Sequence, residues 1–158
     1  MKKTPASVAA GYVAAAGFLV VAVFQLALAL GAPLGRAAWG GGNAELSLTL
    51  RIGSGVATAF WTSAAIFVAG RVRGSRVLPR PVFRWGSWLL GVLLTGSAML
   101  NWASQSPWER FIWGPITLVL AVCTLLAARA PLPGTGPGES TASQVSGDAP
   151  GGVPHLGR

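Results

Sequence analysis

The chain has 158 residues, of which 52% are hydrophobic and 10% charged, whereas soluble domains average roughly 25% charged residues. Its formal net charge is +8, and most of its 12 Lys and Arg residues lie between long uncharged segments. This pattern excludes an ordinary soluble domain and is typical of a protein that crosses a membrane several times. A single Cys and a single His also exclude an intramolecular disulfide framework and a multi-histidine metal site within the chain.

The first predicted span covers about residues 8–31, an uncharged segment whose one strongly polar side chain is Gln25. This length exceeds the roughly 20 residues that an α-helix needs to cross a bilayer. Lys2, Lys3 and the small residues at 27–29 also resemble a secretory signal peptide. The apolar segment is longer than the usual signal region of about 7 to 15 residues, so we expect an uncleaved signal anchor.

Two further spans are predicted at about residues 46–70, with Arg51 near the start, and 85–103, with Asn101 near the end. The fourth, at about 107–128, begins at Ser106-Pro107-Trp108-Glu109, which matches a capping box with proline at the first helical position. Pro115 inside this span removes a backbone donor and predicts a modest kink.

Residues 131–158 differ sharply from the spans, because they are rich in Pro, Gly and Ser and contain almost no large apolar side chains. Such a segment cannot bury enough surface to order itself. The sequence therefore predicts an all-α fold, a four-transmembrane-helix bundle over residues 1–130, followed by a disordered cytoplasmic tail.

Positive charge near span ends favours the cytoplasmic side of a membrane. Three bases fall on one side of the predicted bundle, namely Arg36, Arg51 and Arg110. Eight fall on the side shared by both termini, namely Lys2, Lys3, Arg71, Arg73, Arg76, Arg80, Arg84 and Arg129. This asymmetry predicts that both termini are cytoplasmic (N-in/C-in).

The inward loop between the second and third spans is the most basic part of the chain. We expect its arginines to bind anionic lipid headgroups, at about 1 kcal/mol per base near the surface; they are Arg71, Arg73, Arg76, Arg80 and Arg84. Because the loop is short and carries one aromatic residue, Phe83, no nucleic-acid partner is expected. Small residues in the spans predict close helix packing and fit a homo-oligomer or a membrane-protein partner.

Helix geometry predicts a polar layer near the outward end of the bundle. At about 1.5 Å per residue, Gln25 lies about 26 Å above the inner boundary, and Asn101 lies at nearly the same height. Arg51 is about 30 Å from the inner end of its span, and Glu109 stands at the outer end of the fourth helix. Each helix would thus contribute one polar side chain.

Two interpretations of this layer stay open. Polar residues within a membrane usually face the protein interior and mark functional sites, which makes Gln25, Arg51, Asn101 and Glu109 candidate ligand-binding residues. The same residues suit a structural role, with an Arg51–Glu109 ion pair and hydrogen bonds from the amides.

The glycine-rich segment 31–42 is interpreted as a flexible connection. Alternatively it folds over the layer as a lid, where Arg36 and Trp39 would contact a headgroup or an anionic ligand.

Several motifs in these segments resemble a family of small four-span bacterial integral membrane proteins of uncharacterised activity. They are Phe24-Gln25, the segment 29–35, Leu50-Arg51-Ile52, the stretch 101–110 and Trp113-Gly114-Pro115. The resemblance covers about residues 8–129, and its most specific part is the N-x-x-S-x-S-x-x-E-R stretch. It implies a four-helix fold in the bacterial cytoplasmic membrane and assigns no activity.

The sequence predicts a non-enzymatic membrane protein, because the spans contain no nucleophile–base pair, and no cofactor is expected. Its polar layer would pack the bundle or bind a small ligand or lipid headgroup. The alternative is a small transporter or a subunit of a transport complex. Small multidrug exporters have a similar span count, but they carry a glutamate in the first span where this chain has Gln25.

Overall fold

The computed structural model describes residues 4–75 and 77–129. Within these ranges the fold is all-helical, with four long helices and no strands. They are α1 (Pro5–Ala29), α2 (Leu48–Arg73), α3 (Arg80–Ala103) and α4 (Gly114–Arg129). Two short 3-10 turns, Gly35–Ala37 and Trp39–Gly41, separate α1 from α2, and a π-helical turn, Glu109–Trp113, leads into α4. The predicted disordered tail lies outside the described residues.

Three helical segments are long and apolar enough to cross a membrane: Pro5–Ala29, Leu48–Arg73 and Glu109–Arg129. The third predicted span, now α3, is not among them. Its first turns contain Arg80 and Arg84, and much of the remainder is Trp, Gly and Ser, which lowers its mean hydropathy. The prediction of four helices is therefore confirmed, whereas apolarity by itself supports three membrane-crossing helices and not the predicted four.

The helices share one core. α1 packs against α2 and α4, and α3 packs mainly against α4, with little contact between α2 and α3. Phe18 of α1 is fully buried at the centre, in a cluster to which all four helices contribute small and branched residues: Ala14, Ala64, Ala65, Val68, Leu90, Leu94, Leu120 and Ala121. Large apolar side chains cover the outside of every helix. Because soluble monomers rarely expose apolar surface on this scale, the exterior matches a lipid environment.

Small residues allow close helix contacts, as the sequence predicts. A Cβ added to Gly17 of α1 would overlap the side chain of Leu120 on α4. A Cβ on Gly91 of α3 would lie 2.7 Å from Cγ of Leu125, also on α4. These glycines leave room for leucine side chains of α4, which would have to shift to accommodate a larger residue at either position.

Two arginines of α2 bind the carboxyl ends of neighbouring helices. Arg51 donates from Nε to the carbonyl oxygen of Ala29, at the end of α1, over 3.1 Å. Arg71 donates from Nε to Ala127 over 3.1 Å and from Nη2 to Ala128 over 2.7 Å, both in the last turn of α4. The final carbonyls of a helix lack intrahelical partners and carry partial negative charge, so a guanidinium satisfies them well.

The burial of Arg71 corrects one predicted partner contact. Its residue surface is 4% exposed, and the side chain is held under the end of α4. It is therefore not available to a lipid headgroup, and the expectation for this arginine is wrong. Arg73, Arg80 and Arg84 are exposed, and the Arg84 guanidinium lies 5.7 Å from the Trp85 ring centroid. Arg76, the fifth of the set, lies outside the described residues.

Candidate functional site

A cavity of about 410 Å³ lies beneath the two 3-10 turns and is lined by residues of all four helices; we call it the loop cavity. Its walls combine amide and carboxylate side chains with indole rings. The polar and indole-bearing lining residues are Gln25, Trp39, Trp61, Ser97, Asn101, Glu109, Trp113 and Thr117. The volume lies within the range of about 300–1,000 Å³ occupied by small-molecule sites.

Four of the six residues predicted to bind a ligand line this cavity: Gln25, Trp39, Asn101 and Glu109. The agreement follows from helix rise, which places Gln25 and Asn101 at one depth on different helices. The other two do not line it. Arg51 is directed to Ala29 at the end of α1, and the exposed Arg36 contributes only its backbone carbonyl to the local structure.

Glu109 connects the cavity wall to the segment above it. Its Oε1 accepts the backbone N–H of Gly40 over 2.9 Å, and its Oε2 accepts the hydroxyl of Ser104. No ion pair joins it to Arg51, although both residues belong to the described part of the chain. The structural alternative that paired these two side chains is therefore wrong, because they lie on separate networks.

The predicted capping box at Ser106 and Glu109 is replaced by contacts to other segments. The Ser106 hydroxyl donates to the carbonyl oxygen of Arg36 over 3.1 Å, and its backbone N–H donates to Oγ of Ser104 over 3.1 Å. The helical segment does begin at Pro107, as predicted. The motif thus marks the start of the helix, as predicted. Its Ser106 and Glu109 side chains, however, bind Ser104 and the segment above the cavity.

A π-helical turn lies directly before Gly114 and Pro115, at the start of α4. The five residues before α4 form a π-helical turn, in which the N–H of Gly114 donates to the carbonyl oxygen of Glu109. Single π-helical turns inside helices are often found at functional sites. Here the turn precedes Pro115, which has no backbone N–H to donate. Two of its residues, Glu109 and Trp113, lie on the cavity wall.

The segment between α1 and α2 is fixed over the cavity by side chains from other elements. The indole Nε1 of Trp39 donates to Oγ of Ser54 over 3.0 Å, and Ser54 is fully buried in α2. The indole Nε1 of Trp113 donates to the carbonyl oxygen of Ala37 over 2.7 Å. Together with the bonds from Glu109 and Ser106, four contacts hold this segment. It is a structured cover, and the interpretation as a flexible connection is wrong.

Backbone conformation makes this cover unusual. Trp39, Gly40 and Gly41 all have positive φ, at 54°, 83° and 74°. Glycine adopts this region freely, whereas a tryptophan there is strained by about 1–2 kcal/mol. Such strain persists only where the surroundings enforce it, and it is common at ligand sites. The bond from Trp39 to Ser54 and the contact of its ring with Gly53 supply that enforcement.

Sequence reasoning missed three lining residues for which a signal was present, namely Ser97, Trp113 and Thr117. Glu109, Trp113 and Thr117 are spaced by four, as are Ser97 and Asn101. Residues four apart share a helix face, so each series predicts one polar and aromatic wall. Trp61, on α2, belongs to neither series. Its ring stacks on Phe18 at 5.5 Å between centroids and also borders the cavity.

The two amides in the cavity differ in their bonding. Asn101 donates from Nδ2 to Oγ1 of Thr117 over 3.1 Å, which links α3 to α4. The Oε1 of Gln25 is fully buried and accepts no hydrogen bond from residues 4–75 and 77–129. Most buried polar atoms in proteins are paired, and an unpaired acceptor costs about 1–3 kcal/mol. Asn101 therefore links two helices, whereas Gln25 carries an unsatisfied acceptor at the cavity wall.

Metal binding has no support in the part of the chain that the structure describes, where no three His, Cys, Asp or Glu side chains cluster.

Searches of family models, curated proteins and solved structures find no match to this chain. The resemblance to small bacterial membrane proteins therefore stays a prediction, and the functional argument depends on the geometry of the loop cavity.

Proposed function

We propose that this protein is a non-enzymatic integral membrane protein of the bacterial cytoplasmic membrane that binds a small ligand in the loop cavity. In this proposal all four helices cross the bilayer, both termini are cytoplasmic, and the cavity faces outward. The positive-charge asymmetry of the chain supports this orientation, since the loop between α2 and α3 is basic and the segment over the cavity is not.

Membrane insertion of α3 is supported by its length and its outer surface. Its 24 residues extend about 36 Å, more than the roughly 30 Å of a bilayer core. No charged residue lies between Trp85 and Ala103. The helix carries exposed large apolar residues along its length, namely Leu89, Val92, Leu93, Met99 and Leu100. Tryptophans near both ends suit the membrane interfaces.

The observation that carries the ligand-binding proposal is the buried, unpaired Oε1 of Gln25 in a cavity of ligand size. If the cavity served only to pack the bundle, its polar atoms would pair with one another, as Asn101 does with Thr117. A ligand that donates to Gln25 relieves the cost of this acceptor. The fixed cover and its strained Trp39 indicate that the cavity shape is maintained by the fold.

A cavity-filling substitution tests this proposal. Ser97→Phe places a large ring in the cavity, whereas Gly96→Phe on the same helix projects where an added Cβ meets no atom within 4 Å. We expect native mass spectrometry of the full chain, released from bilayer nanodiscs, to reveal a co-bound non-lipid mass. That mass should be present in the unchanged chain and in Gly96→Phe and absent in Ser97→Phe. The absence of a non-lipid adduct from all three proteins, or an equal adduct in all three, would contradict the proposal.

A further inference from the structure

We propose that the ligand of the loop cavity is a small organic amine, bound as its ammonium cation; this assignment rests on the function proposed above. The charge on the cavity wall is the first argument. Among the described residues that line the cavity, Glu109 is the one charged side chain. The nearby Arg51 is directed to Ala29, and Arg110 donates from Nη2 to the carbonyl oxygen of Ser104 over 2.9 Å. The lining is therefore formally negative.

Glu109 is positioned in advance for a cationic group. Each of its oxygens accepts one hydrogen bond, from Gly40 and from Ser104, and these bonds fix the carboxylate plane. An ionised carboxylate has about four acceptor positions, so about two remain. Hydrogen bonds between an ammonium and a carboxylate are about twice as strong as those between neutral groups.

The hydrogen-bonding groups of the wall favour a ligand that donates. The buried Oε1 of Gln25 needs a donor. Three N–H groups that an anionic ligand would use are already engaged: one N–H of Asn101 bonds to Thr117, and the indole N–H groups of Trp39 and Trp113 bond to Ser54 and Ala37. Both indole N–H groups are thus committed to other parts of the chain, while Glu109 and Gln25 contribute acceptor oxygens to the wall.

Aromatic rings complete the environment of an ammonium group. Trp39, Trp61, Trp113 and Phe24 all line the cavity, and the Phe24 and Trp113 rings pack at 4.6 Å between centroids. Indole rings attract cations through their faces, most strongly where water is excluded. Since the N–H groups of Trp39 and Trp113 are bonded elsewhere, their rings are held in fixed orientations. A carboxylate, a free acceptor and several indoles in one cavity together select an ammonium ion.

Three probes of nearly equal shape test this assignment: phenethylammonium, neutral 2-phenylethanol and anionic phenylacetate. Binding is measured by isothermal titration to the full chain in nanodiscs of zwitterionic lipid. We expect phenethylammonium to bind about tenfold or more tightly than 2-phenylethanol, and phenylacetate to bind most weakly. Glu109→Gln, which keeps an acceptor for Gly40, should remove the preference for the cation. Glu45→Gln, which changes an exposed carboxylate outside the cavity, should preserve it.

The outcomes distinguish failure of the ammonium assignment from failure of the proposed ligand-binding function. Equal affinities for the amine and the alcohol, both lost in Ser97→Phe, would overturn the ammonium assignment and leave the ligand-binding function in place. Tighter binding of phenylacetate, or a cation preference unchanged in Glu109→Gln, would also overturn it. If no probe binds up to about 1 mM, the assignment fails. The co-bound mass in the nanodisc experiment then decides separately whether the cavity binds a ligand.

Discussion

Replacement of Arg71 by methionine is expected to lower the free energy of unfolding by about 2–4 kcal/mol. Methionine keeps much of the side-chain volume but removes the donors to Ala127 and Ala128. The last carbonyls of α4 would then remain buried without these partners, and the contact between α2 and the end of α4 would weaken. Equilibrium unfolding in mixed micelles, followed by circular dichroism, measures the change.

Arg73 provides the matched control, because it lies two residues away on α2 and is exposed. Arg73→Met should change the free energy of unfolding by no more than about 0.5 kcal/mol. If Arg71→Met and Arg73→Met have equally small effects, the guanidinium of Arg71 does not secure the end of α4 as described.

Substitution of Gly35 by alanine is expected to displace the cover of the loop cavity. Gly35 is buried, and its N–H donates to the carbonyl oxygen of Ala44 over 2.8 Å. A Cβ there would lie 2.5 Å from the carbonyl oxygen of Asn43 and 2.9 Å from that of Ala44. Backbone atoms cannot rotate away as a side-chain end can, so the segment must shift, at a cost of about 1–3 kcal/mol.

Trypsin reports this displacement directly, because Arg36 is exposed beside Gly35. Local opening of the cover should accelerate cleavage after Arg36 by about tenfold or more in Gly35→Ala. Gly42→Ala is the control, since its φ of −63° suits alanine and its added Cβ meets no atom within 4 Å. Equal cleavage rates in the two variants would show that close backbone packing at Gly35 does not hold the cover.

Helix rise and charge predict the depth of a residue from sequence, and this accounts for the successful part of the site. Gln25 and Asn101 share a cavity because each lies near the same end of its helix. Depth does not determine the direction of a side chain around the helix axis. Arg51 and Glu109 are both near that end, but Arg51 is directed to the end of α1 and Glu109 to Gly40. Their predicted pairing failed for this reason.

Tertiary contacts account for the other differences between the sequence predictions and the structure. In the sequence, the apolar segment of the second span ends at Arg71, so this residue was predicted to belong to the exposed basic loop. In the structure, α2 continues to Arg73, and Arg71 is buried against α4. Ser106 was assigned to its own helix start, but the segment after α1 folds over the cavity and presents the carbonyl oxygen of Arg36. Both outcomes depend on residues distant along the chain, which local motifs do not contain.

The location of the two ends of α3 tests the central claim, that this helix crosses the membrane and leaves the loop cavity facing outward. In a Cys123→Ala chain, single cysteines are placed by Val77→Cys, before α3, and Gln105→Cys, after it; both positions are exposed. Bacterial cells expressing each protein are treated with a membrane-impermeant maleimide. We predict labelling of Gln105→Cys in intact cells and of Val77→Cys only after permeabilisation. Labelling of both from the same side, or the reverse pattern, would contradict the account.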